Sequence, residues 1–305
     1  MRISQAVERY VSWKKSLGLR YTSVEKFFAS FSRGMKDRPV SEITRSQIST
    51  FLNRTNCSNS TWLQNYDKLS RFFRYLEILG ELKRSPLPVA RQKQQTTFIP
   101  YIYSRTEIKR LLRATTHWDT GRHRRINGKT FRTLLLFLYG TGTLVSEALN
   151  LTKDDLDFRR KIIRVRRHSD SATRSIPIGP DVQQLLRLYL RSSSQLKQEC
   201  AYVFATIDGK RIAPATLIGN FRRLRYLARI VSHKGRSCQP RMHDLRNTFA
   251  VHRVAAWYRQ GMDAQRMVPA LAAYLGLVGL RSTEKYLSLT PEHFRAQIQR
   301  YRNQE

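Results

Sequence analysis

Between Arg84 and Phe98 the chain loses its helical patterning. The run Arg-Ser-Pro-Leu-Pro-Val-Ala-Arg-Gln-Lys-Gln-Gln-Thr-Thr-Phe carries two prolines and a polar tract. Prolines remove backbone donors and fix the backbone in turn or extended conformations, so such a run reads as an exposed connection. A domain boundary is therefore placed there, and 305 residues are enough for one large or two ordinary domains. The predicted division is a helical domain over 1–90, a linker over 91–99 and a second domain over 100–305.

The first domain reads as mostly helical. Val7, Tyr10, Val11 and Leu17 mark an apolar face on an opening helix, and Gly18 supplies its stop. Ser23 is a candidate cap for a helix carrying Val24, Phe27, Phe28 and Phe31. The segment from Pro39 feeds a third helix, with Ser41 or Thr44 as cap. Ser60 opens a long aromatic-rich helix, Thr61 to Leu79, closed by Gly80.

In the second domain Ser104 and Glu107 form a capping-box pattern. Phe131 to Tyr139 is an apolar helix stopped by Gly140 and Gly142, and Val145 opens another. Ile162-Ile-Arg-Val-Arg166 alternates and reads as a strand, paired with Arg174-Ser-Ile-Pro-Ile178 across a polar turn. A helix from Asp181 to Leu190 is followed by a short strand at Tyr202-Val-Phe-Ala205. Pro214 to Ile230 is a basic helix, and helices from Asp244, Ala264 and Thr283 complete the domain.

Charge narrows the partners. Lys and Arg number 56 against 22 Asp and Glu, a net charge of +34. Phosphate neutralisation with counterion release makes nucleic acid the expected partner. A membrane surface is disfavoured, because no apolar run of spanning length and no lipidation motif occurs. The opening residues read as an amphipathic helix rather than a signal peptide. Cys57, Cys200 and Cys238 are odd in number and lack metal-ligand spacing, which suits a reducing cytoplasmic setting. No metal and no cofactor are expected.

Four motifs then occur in order. Leu138-Tyr-Gly-Thr-Gly-Thr-Leu-Val-Ser-Glu-Ala-Leu-Asn-Leu151 is a glycine-rich turn entering a helix. His243-Asp-Leu-Arg246 places a His and an Arg three apart on one helix face, with Asp244 as a candidate cap. Tyr274-Leu-Gly-Leu-Val-Gly-Leu280 precedes Ser282-Thr-Glu-Lys-Tyr-Leu287. His-x-x-Arg alone is a weak signal; the ordered set at this spacing is a strong one.

The set resembles the catalytic segment of the tyrosine recombinases, the family of phage integrases and Xer-type enzymes, from Tyr101 to the C-terminus. The resemblance implies a mainly α fold with a small β-sheet: an N-terminal helical, SAM-like core-binding domain and a C-terminal α/β catalytic domain, forming a C-shaped clamp on DNA. It also implies strand cleavage by a tyrosine, leaving a 3′-phosphotyrosyl link, with cationic side chains holding the phosphate in place of a metal. Tyr286 falls at the nucleophile position, and His243 and Arg246 match the His-x-x-Arg box. The family's first arginine position is Leu144 here. The hairpin turn that carries the family's lysine has none, Ala172 being the nearest position. The family's His/Trp position is Leu277.

Arg166, Arg167, Arg174, Arg222, Arg223 and Lys234 are candidate DNA contacts. An arginine cannot replace a lysine as proton donor, because it stays protonated. The sequence thus predicts a degenerate tyrosine recombinase, catalytically dead or impaired. It would bind double-stranded DNA as a homo- or hetero-oligomer, beside an active recombinase paralogue, in the cytoplasm at the nucleoid. The alternatives are an active recombinase with substitute cations and a general basic nucleic-acid-binding protein.

Overall fold

The computed structural model describes the chain except residues 19–21, 55–56, 93–98, 119–124, 167–172, 194–199, 233–234, 236–238, 278, 280 and 292–305. The chain divides into two compact units, Met1–Phe98 and Ile99–Glu305. It is mainly helical, with one small sheet.

The first unit holds α1 (Ile3–Ser16), α2 (Thr22–Gly34), α3 (Arg45–Asn53) and α4 (Asn59–Ile78). Its core is aromatic. Tyr10 meets Phe28 and Phe72 edge-on at 5.5 and 5.4 Å, and Phe31, Phe73 and Trp62 are buried around them. Large rings fill the interhelical space with few rotatable bonds, so a small unit gains apolar burial at low entropic cost. Thr44 caps α3 as expected, its hydroxyl accepting from the Gln47 amide at 3.3 Å. Ser58, not Ser60, caps α4, accepting from the Thr61 amide. Leu17 does not join the α1 face. It lies beyond the last turn and is exposed, while Ile3 and Ala6 fill the face alongside Tyr10 and Val11.

The second unit carries α5 (Arg105–Ala114), α6 (Gly128–Thr141) and α7 (Val145–Asn150). A sheet of β1 (Leu156–Asp157), β2 (Ile162–Arg166) and β3 (Thr173–Pro177) follows. Then come α8 (Pro180–Ser193), α9 (Pro214–Leu227), α10 (Asp244–Arg259), α11 (Ala264–Leu275) and α12 (Arg281–Ser288). Ser104 and Glu107 form the reciprocal capping box at α5. The sheet is antiparallel in the order β1-β2-β3, pairing Ile163 with Ile176 and Val165 with Arg174. Ile163 and Val165 are buried while Arg164 and Arg166 face out, the alternation a half-buried strand requires.

Tyr202–Ala205 is not a strand. It makes only isolated bridges, Thr152 to Tyr202 and Ala205 to Arg211, because the chain reverses at Asp208–Gly209 before a ladder can extend. Among the described residues no helix is long and apolar enough to cross a membrane.

Helix α6 runs through the core with Phe131, Leu134, Phe137 and Leu138 buried, so its apolar residues are not confined to one stripe. It ends on Gly142, whose φ of +62° and bond to the Leu138 carbonyl (2.9 Å) form a left-handed cap. A Cβ on Gly142 would lie 2.3 Å from the Phe249 ring on α10. Gly142→Ala therefore combines left-handed backbone strain of about 1–3 kcal/mol with a ring collision. Scanning calorimetry is expected to show a melting midpoint lowered by roughly 5 °C or more; an unchanged midpoint would contradict this packing.

Candidate functional site

The site grows from the turn that follows Gly142. Leu144 occupies the N-cap of α7, where its side chain has nothing to offer the helix amides. Glu147 compensates, its Oε2 accepting from the Leu144 amide at 2.8 Å. Glu147 is 2 % exposed. Its charge is met by Arg174 of β3 in a two-pronged pair, Nη1 to Oε1 at 2.5 Å and Nη2 to Oε2 at 3.0 Å. The Arg174 Nε donates to the Tyr274 carbonyl near the end of α11 (3.1 Å). The adjoining Gly276 has φ +68°, and a Cβ there would stand 2.9 Å from Arg174 Nη1. Glycine at that turn is thus required twice, for the backbone and for the guanidinium beside it.

Arg246, in the first turn of α10, makes a parallel tie. It is 4 % exposed; Nη1 donates to the Gly142 carbonyl (3.1 Å) and Nη2 to the Leu275 carbonyl (2.7 Å). Two guanidinium groups thus join the 142–147 segment to the end of α11.

Tyr286 on α12 is 2 % exposed, and its hydroxyl donates to Asn247 Oδ1 at 3.2 Å. The Asn247 amide donates to Asp244 Oδ1 at 3.3 Å, and Asp244 Oδ2 accepts from the Arg241 backbone at 2.8 Å. Burial raises the Tyr286 phenol above its ordinary value, with Arg246 opposing the rise. His243 stands exposed at the α10 N-cap. Its imidazole is shifted below the usual range by the protein around it, then by Arg246, Arg241 and Lys285, with Asp244 opposing. The Lys285 ammonium lies 5.0 Å from the Tyr286 ring centroid, and burial of its stem and Arg246 lower its pKa.

His243, Arg246 and Tyr286 are therefore brought together, with Leu144 inside the 142–147 segment and Leu277 just past the end of α11. Leu277 is half-buried against the cluster that includes Phe249, Leu275 and Tyr286. Asp244 is not the helix cap. The cap position is His243, and the Asp244 carboxylate points back to Arg241 and across to Asn247. Arg174, expected to reach outward, is turned inward onto Glu147. Arg166 is half paired, its guanidinium 2.6 Å from the buried Asp155 while its side chain stays 57 % exposed. Arg222 and Arg223 are exposed on α9. Arg167, Ala172 and Lys234 lie outside the described residues, as does the whole turn between β2 and β3. Asn247 and Lys285 were missed by motif reading; each adjoins a residue that was singled out, and that adjacency is the only signal they give. No cluster of three or more His, Cys, Asp or Glu able to hold a metal occurs among the described residues.

The family model described as "Phage integrase family" matches residues 104–293. The chain is 27% identical over 311 residues to the integrase/recombinase y4rB of Sinorhizobium fredii, covering 97% of this chain and 96% of that protein. It is 27% identical over 286 residues to the tyrosine recombinase XerC of Lacticaseibacillus casei, covering 90% and 87%. Among solved structures, the Tn1549 transposon integrase in complex with transposon right end DNA superposes with a TM-score of 0.70 at 18% identity, over 98% of this chain and 99% of that one. A lambda integrase dimer bound to a core site gives 0.65 at 17%, over 92% and 96%.

Removing one partner of a buried ion pair leaves an uncompensated charge, at a cost of about 3–5 kcal/mol. Arg174→Ala is expected to destabilise the second unit by that order in urea unfolding. Arg174→Lys should recover little, because an ammonium cannot reproduce the two-pronged pair. A loss below about 1 kcal/mol in Arg174→Ala would show the pair to be dispensable.

Proposed function

The chain belongs to the phage integrase family, the tyrosine recombinases, and from that premise we propose that it is a DNA-binding subunit of site-specific recombination or transposition that has lost most strand-cleaving power. It would work beside an active recombinase paralogue on DNA, as a homo- or hetero-oligomer. The net charge of +34 supports duplex binding through phosphate neutralisation. The DNA complexes of the similar Tn1549 and lambda integrases support it further. Arg222 and Arg223 on the open face of α9 are assigned to phosphate contact.

One observation carries the loss of cleavage: the donor positions at Leu144 and Leu277 hold apolar side chains, and the nearby Arg174 is committed to Glu147. Tyrosine attack on a phosphodiester gathers negative charge on the non-bridging oxygens, which positioned donors must meet as it forms. Each missing donor lowers the rate by on the order of 10²–10³-fold, though such losses do not simply multiply. The phenol is also poorly placed to attack. It is buried, its ordinary pKa of about 10 is raised further, and its proton rests on an amide oxygen that cannot act as a base.

A second reading, an active recombinase joined to DNA through Tyr286, draws support from the grouping of His243, Arg246 and Tyr286. A third, general basic nucleic-acid binding, predicts steep salt dependence without sequence preference. The test uses a nicked suicide duplex bearing the protein's own site, obtained by selecting bound genomic fragments. No covalent adduct is expected under saturating binding. An adduct that vanishes in Tyr286→Phe would overturn the proposal. In the Leu144→Arg, Leu277→His double variant, adduct formation is expected to rise.

A further inference from the structure

The run from Arg84 to Phe98, expected from the sequence to be an exposed connection, is docked along one side over its described part. The Ser85 amide donates to Glu77 Oε1 at 2.6 Å, near the end of α4. Leu82 and Leu87 pack against the aromatic core of the first unit. The Tyr66 hydroxyl donates to the Pro88 carbonyl at 3.1 Å, and the Asn59 side-chain amide donates to the Gln92 carbonyl at 2.9 Å. Arg91 lies over the Trp62 ring, 4.7 Å from its centroid, and Trp62 stacks on Tyr66 at 5.3 Å. Asn53 of α3 ties this stack together, its Oδ1 accepting from Trp62 Nε1 at 3.0 Å and from Arg91 Nη2 at 2.7 Å.

Glu77, Tyr66, Trp62 and Asn59 fall on one stripe of α4, and Ser85, Pro88, Arg91 and Gln92 meet them in reverse order. The lengths agree. The stripe covers about 27 Å at a helical rise of ~1.5 Å per residue, and an extended chain from Ser85 to Gln92 covers about 22 Å at ~3.1 Å per residue. Pro86 and Pro88 suit this run, because each lacks a backbone donor and favours extended backbone, so docking leaves few amides in need of partners. The last anchored residue is therefore Gln92, seven positions before the second unit begins at Ile99.

We propose that residues 85–92 are a strap that sets the length of the tether between the two units, so that one unit on DNA presents the other to the same duplex at a raised effective concentration. The assignment rests on the duplex-binding reading, with both units on one duplex, and does not depend on strand cleavage. With the strap released, the last anchor retreats from Gln92 to Ser85, and its separation from Ile99 doubles from seven positions to fourteen. Effective concentration falls roughly as the −3/2 power of tether length, so doubling it costs about threefold in affinity.

The test compares the full chain with a Leu87→Ser, Tyr66→Phe double variant, which removes the apolar anchor and the bond to Pro88 without changing any charge. Trypsin should cut after Arg91 several-fold faster in the double variant. Its dissociation constant for a duplex long enough to take both units should rise about threefold, with the slope of log affinity against log salt unchanged. A Gly-Ser insertion of about seven residues after Gln92 doubles the tether while leaving the strap in place, and it should weaken binding by the same factor. Insertion and double variant together should cost about fivefold. Unaccelerated cleavage would overturn the strap. Accelerated cleavage with unchanged affinity, or an insertion without effect, would overturn its role as tether. A salt slope reduced by about 0.9 would show a lost phosphate contact instead and would overturn it too. A wild-type chain that does not bind the duplex would overturn the duplex-binding reading itself.

Discussion

The ion pair between Glu147 and Arg174 is the joint on which the site rests. A carboxylate this deeply buried is tolerable only when its lone pairs are met, and here the Leu144 amide and both ends of the Arg174 guanidinium meet them. The pair fixes the start of α7 against β3. Through the Tyr274 carbonyl it also fixes the end of α11, and through the space the guanidinium needs it requires glycine at position 276. Arg246 repeats the tie from α10 by bonding the Gly142 and Leu275 carbonyls. The surroundings of Tyr286 are therefore rigid before any DNA arrives.

That rigidity has a chemical consequence. Arginines usually mark surfaces that meet phosphate, yet Arg174 is committed inside the protein and Arg246 gives two of its five donors to the main chain. His243 and Lys285 stay at the surface beside them. On the proposed reading the site lacks the donors that the family would place at positions 144 and 277, and the same architecture keeps DNA affinity while giving up rate.

Local physics made part of this legible in the sequence. The Ser104–Glu107 box, the Gly142 cap and the alternation of Ile162–Arg166 each follow from residues within a few positions of one another. The order of the His243, Arg246 and Tyr286 motifs was legible for a different reason, since it rests on family resemblance rather than on periodicity. Other features depend on distant partners. Arg174 turns inward because of a carboxylate 27 residues upstream, and Tyr286 is held by an amide 39 residues away. Neither partner can be named from composition. β1 is two residues long and leaves no alternation to read. The first two turns of α10 are buried on every side, so no apolar stripe signals which face Asn247 takes.

The central claim is the proposed one, that this chain binds duplex DNA while its cutting apparatus is incomplete. A crystal structure of the chain on its own duplex site tests it most directly. The account predicts a bound duplex with Arg174 still paired with Glu147 and the Tyr286 hydroxyl still bonded to Asn247. Arg174 withdrawn from Glu147 onto a phosphate, or Tyr286 joined to phosphorus, would contradict it.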